Sequence, residues 1–259
     1  MLWRKSPTLH MRNWPSWALV EPGLTTLRRY IVSAQVTATV VSEAATAGES
    51  FLVKEARFFD RPLGLASRIT ILIAAILLLP AFFFPMYNMT LYSNQFPDGL
   101  NLYIYPGTLR GGQSAVRDDL REINSLNHYI GMHPLQETDF TEFQWIPLML
   151  GFFIILSLRS AVIGRMLALV DTLVLFLWFG LFALWHFYHR LYTYGHNLDP
   201  SAAVKVKPFT PPMFGSQQIA NFTVFNYPSA GTYLMAGFVI LLALAIWLSA
   251  RRKKEPVRA

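Results

Sequence analysis

Five of the six histidines gather in two stretches whose only other soft ligands are methionines. His128 and His133 belong to the first, and His186, His189 and His196 to the second. The densest run is Asn127-His128-Tyr129-Ile130-Gly131-Met132-His133. Imidazole nitrogen and thioether sulfur together suit copper, Cu(I) above all, better than hard cations. The chain has no cysteine, which excludes disulfides, thiolate metal sites and covalently attached c-type haem. Met86, Met89, Met132 and Met213 are the methionines available to such a site.

These residues share a side because of the segments between them. The chain has 259 residues, 53% hydrophobic and 14% charged, too apolar for an ordinary soluble domain. Four stretches reach the roughly 20 apolar residues that cross a bilayer: about 69–87, 145–163, 166–188 and 231–249. Arg159, near the end of the second, is the one basic residue within them, and Asp171 is the one acid. Basic residues flank one set of ends: Arg57, Arg61 and Arg68, then Arg159 and Arg165, then Arg251 to Lys254. The segment 88–144 instead holds three arginines against seven acids. Positive segments stay cytoplasmic, so both termini are expected inside and loops 88–144 and 190–230 outside. The net charge of +7 is then a topology signal and does not argue for nucleic acid.

The expected fold is an all-α membrane protein: four transmembrane helices with a small α+β periplasmic cap built from the two outer loops. Residues 1–67 read as a poorly ordered cytoplasmic extension, 68–250 as the membrane domain and 251–259 as a basic tail. In the first loop, 89–95 and 100–105 read as strands around the turn Phe96-Pro97-Asp98-Gly99. From Ser114 an amphipathic helix follows, with Val116, Leu120, Ile123 and Leu126 as its stripe and Gly131 as its stop. Asp118, Asp119 and Glu122 fall on its solvated side. His128 and Met132 share one face if its last turn holds.

The metal hypothesis places copper on His128, Met132 and His196, with Met86 or Met89 adding a thioether. Asn127, Asn197 and Asp199 would orient the imidazoles. Plainer readings stand beside it: interfacial packing for Met86 and Met89, and polar tips at the headgroup level for His186 and His189. A bis-histidine haem lacks a second histidine within the spans. Asp171 reads as a structural polar contact near Arg165 or Arg159 rather than a proton relay. No nucleophile elbow, phosphate-binding glycine loop or H-E-x-x-H occurs, so the chain does not read as an enzyme.

Three strings carry a resemblance: residues 119–132 (DLREINSLNHYIGM), 192–200 (YTYGHNLDP) and 211–215 (PPMFG). The segment 221–231 is similar too. Through them the chain resembles a family of four-span bacterial membrane proteins found in nitrous-oxide reductase maturation gene neighbourhoods. The resemblance covers about residues 68–250. It implies copper handling on the periplasmic face of the inner membrane, as an assembly factor for a cuproenzyme with a membrane or periplasmic protein partner. It supplies no ligand residues. The alternatives left open are a non-catalytic accessory subunit of a respiratory or photosynthetic complex and a haem- or quinone-binding redox subunit.

Overall fold

The structure is a computed structural model that describes residues 53–114, 117–219 and 221–251. Two compact units divide the chain, residues 1–57 and 58–259. Of the first only 53–57 are described, and they are helical. The stretch 32–49, most of the N-terminal extension, Val116 and the basic tail lie outside the described residues.

The second unit is mostly helical. Its elements are α1 (Leu65–Leu78), β1 (Tyr87–Tyr92), β2 (Leu100–Ile104), β3 (Leu109–Gly111), α2 (Asp119–Tyr129), α3 (Glu142–Ile163), α4 (Met166–His196), β4 (Gly215–Ile219), β5 (Phe222–Pro228) and α5 (Ala230–Arg251). Among the described residues four helical stretches are long and apolar enough to cross a membrane: Leu65–Phe82, α3, α4 and α5.

Pro80 lacks the amide that would continue α1, so the α-helix stops at Leu78 and tightens into a 3-10 turn over Leu79–Phe82. Ile71, Leu78, Leu150, Phe153, Met166, Leu169, Phe238 and Leu242 fill the centre of the bundle. Polar contacts knit neighbours together: the Ser160 and Thr172 hydroxyls lie 2.8 Å apart between α3 and α4, and those of Ser249 and Ser67 lie 2.6 Å apart between α5 and α1. At the end carrying the basic turn, Leu63 N–H donates to the Gly164 carbonyl at 2.7 Å and Met166 N–H to that of Arg61 at 2.9 Å. Residues 61–63 are therefore pinned to the α3–α4 turn.

At the opposite end both long loops merge into one antiparallel sheet of order β3-β2-β1-β5-β4. β1 is central. It pairs with β2 from its own loop and with β5 from the second, Tyr87 facing Ile104 on one side and Pro228 on the other. Leu100, Leu102, Leu109 and Ile123 form a second core where α2 lies on the sheet. The turn at 96–99 forms as its residues predict, with Gly99 at φ 79°.

Asp119 is not on the solvated side. It is 3% exposed and pins α2 to the sheet: Oδ2 accepts from Asn101 N–H at 2.9 Å and Oδ1 from Arg117 Nε at 2.7 Å. Gly112 leaves room for this carboxylate, since a Cβ there would sit 2.5 Å from Oδ2.

Candidate functional site

The Asn127–His133 string is the C-terminus of α2. Met132 N–H donates to the Asn127 carbonyl at 2.8 Å and Gly131 N–H to that of His128 at 3.2 Å. With Gly131 at φ 79°, these bonds make a Schellman motif. The last turn therefore ends before Met132. His128 and Met132 nevertheless line one pocket, brought there by the glycine turn.

The other wall of that pocket is the segment after α4. Asp199 N–H donates to the Gly131 carbonyl at 2.8 Å, and Val204 N–H to that of Tyr129 at 2.9 Å. A Cβ on Gly131 would stand 2.8 Å from the Asp199 carbonyl oxygen, so this close approach requires glycine. The pocket thus gathers His128, Met132 and His133 from one string and Asn197, Asp199 and Ser201 from the other. Asp199 Oδ1 accepts from the Ser201 hydroxyl at 2.6 Å and from Ser201 N–H at 2.7 Å. These bonds, with smaller help from Lys205 and His128, hold its carboxyl below the usual carboxylate range.

The remaining predicted residues go elsewhere. His196 ends α4, its Nδ1 2.9 Å from the Tyr192 carbonyl oxygen and its ring stacked 3.8 Å from that of Tyr192. It does not line the pocket. Asn127, Met86 and Met89 line a second, larger cavity, where Met132 joins them. Among the described residues no three His, Asp or Glu side chains stand close enough together to hold a metal ion. His189 is exposed, and its ring stacks on that of Trp185 with centroids 5.9 Å apart. Asp171 is exposed on α4 and pairs with none of the described residues.

Sequence reasoning passed over one cluster. Glu142, in the first turn of α3, is buried and faces α4. Arg190 Nε donates to its Oε1 at 2.8 Å, and a guanidinium nitrogen donates to Oε2 at 3.3 Å. His186 Nδ1 stands 2.7 Å from Oε1, out of line for a hydrogen bond. The available signal was the spacing of His186 and Arg190, four apart on one helix face.

The larger cavity, about 630 Å³, runs between the sheet, α2 and the facing sides of α4 and α5. Glu142, Arg190, Tyr194 and Tyr87 stand at its wall. Burial pushes the Tyr87 hydroxyl up to about 12, so it stays protonated at neutral pH. No family model matches the chain, and no curated protein matches it.

Proposed function

We propose that the protein holds copper, as Cu(I), in the pocket shared by the two strings and passes it to a cuproenzyme during assembly. The sheet would stand on the periplasmic side of a bacterial inner membrane, with both termini in the cytoplasm. The observation that carries this reading is the convergence of imidazole, thioether and carboxylate donors from two distant strings on one pocket: His128, Met132 and Asp199. Cu(I) accepts low coordination and thioether sulfur, and an ionised carboxylate nearby offsets its charge. The resemblance to proteins of copper-enzyme maturation neighbourhoods points the same way.

Competition for Cu(I) against a chromogenic chelator tests it on the full chain in detergent. His128→Ala and Met132→Ala should each weaken binding about tenfold or more, since each removes one of few donors. His196→Ala should change it little, because His196 stands outside the pocket. Equal affinities for wild type and His128→Ala/Met132→Ala would overturn the proposal.

A second reading has its own observation. The main-chain bonds from Asp199 to Gly131 and from Val204 to Tyr129 make the strings a docking joint between the loops. In that case the protein is an accessory subunit and the motifs serve its shape. A stoichiometric partner that co-purifies with it, and no copper affinity, would favour this reading.

A further inference from the structure

The larger cavity has a shape and a polarity of its own. Its lining follows α4 from Phe176 to Tyr194, about 27 Å of helix at 1.5 Å per residue. On α5 it reaches from Thr232 to Val239. For a volume of about 630 Å³ this is a long, narrow space, and its lower part lies along two helices apolar enough to cross a membrane. Its walls are nearly all hydrocarbon and aromatic. A water-soluble metabolite would find few partners there.

The polar groups at the sheet end are few. Glu142 and Arg190 are the charged lining residues, and they are bonded to each other. The Thr232 hydroxyl donates to the Met86 carbonyl at 2.6 Å. The Tyr87 hydroxyl is different: the residue is 8% exposed, and its oxygen is buried without a hydrogen-bond partner. Its ring is held edge-on by Phe187 at 4.8 Å and Phe214 at 6.1 Å, both lining residues themselves. A buried hydroxyl left unbonded asks for an acceptor. Asn127 and Tyr194 add further neutral polar groups to the lining, and there is no unpaired charge to receive an ionic head.

We infer that this cavity binds an uncharged long-chain lipid, its carbonyl-bearing head beneath the sheet at Tyr87 and its chain running down between α4 and α5. An isoprenoid quinone and an acylglycerol both have that chemistry. The inference does not depend on copper binding, and its measurements involve no metal.

Native mass spectrometry of the delipidated full chain tests it. Decylubiquinone and dioleoylglycerol are the uncharged probes; oleate and dioleoyl phosphatidic acid are the charged ones. One equivalent of at least one uncharged probe should bind, at least tenfold tighter than either charged probe, and the probe that binds names the head. Gly180 lines the cavity, and a Cβ there meets nothing within 4 Å. Gly180→Leu should therefore fold normally, with an unchanged melting temperature in detergent, and weaken binding tenfold or more. Tyr87→Phe keeps the ring and should weaken it about threefold to tenfold. Equal binding of charged probes would overturn the assigned head. Undiminished binding by Gly180→Leu would overturn the site, and no uncharged lipid bound by folded wild type would overturn the inference entirely.

Discussion

Glu142 joins two helices that hydropathy treats separately. Its carboxylate receives Arg190 in a two-pronged contact and has His186 beside it, at the level where the bundle meets the sheet. A buried acid with cationic partners costs more to break than to replace as a whole. Glu142→Ala would leave the Arg190 guanidinium without its carboxylate at the cavity wall. Breaking a fully buried pair costs about 3–5 kcal/mol. Arg190 keeps 27% of its side-chain surface exposed, so water recovers part of that loss and about 2 kcal/mol is expected. Thermal or chemical denaturation in detergent measures it. The Glu142→Ala/Arg190→Ala double variant should be more stable than Glu142→Ala alone, since it removes the stranded charge. If the single variant matches wild type, the pair does not hold α3 to α4. None of this was visible from residue types: Glu142 read as one of seven loop acids and His186 as an interfacial tip. Asp119 shows the same blind spot. Its burial depends on space left by Gly112, which no pattern in its own helix reveals.

At the scale of elements, local signals were legible and long-range ones were not. The four apolar stretches, β1, β2, the turn between them and the glycine stop of α2 all follow from spacing and turn chemistry. α4 runs on to His196, past the apolar stretch that hydropathy registers and through Tyr192 and Thr193, which are weak helix formers. β5 carries an aromatic, β-branched run, yet its partner is β1, more than a hundred residues earlier, and no local pattern encodes that pairing. The joint between the loops rests on Gly131, and Gly195 lets the second loop fold back on the end of α4. A side chain on Gly195 would run into the Phe209 carbonyl oxygen, while Gly131 also needs its positive φ. Gly131→Ala combines a left-handed backbone cost with a contact against Asp199, so a loss of about 1–2 kcal/mol is expected. Amide exchange should then speed up at Asp199 and Val204, the donors across the joint, while the sheet core near Leu102 stays protected. Unchanged protection at both donors would show that the joint does not depend on this turn. The candidate pocket was half legible in the same sense. Both strings were recognisable, but the joint decides which side chains line the pocket, and His196 instead lies back along α4 against Tyr192.

The whole molecule is polar in the directional sense. One end holds the sheet, α2 and the paired strings; the other holds the α3–α4 turn with Arg159 and Arg165, the start of α1 with Arg61 and Arg68, and Arg251. Positively charged short connections are retained on the cytoplasmic side during insertion, so this separation of charge predicts the proposed orientation, with the sheet end facing out. The absence of cysteine makes the consequence directly measurable, because any introduced thiol is unique. Ser201, exposed beside the candidate pocket, and Arg165, exposed at the opposite end, are suitable positions. In intact cells a membrane-impermeant maleimide should label Ser201→Cys fully, and Arg165→Cys only after the membrane is opened. Spheroplasts should give the same contrast, which separates inner-membrane orientation from access through the outer envelope. Labelling of Arg165→Cys in intact spheroplasts, with Ser201→Cys protected, would invert the molecule and put the pocket in the cytoplasm. It would then meet a reducing compartment, and a role in loading a periplasmic cuproenzyme would fail on geometry alone, whatever its affinity for copper.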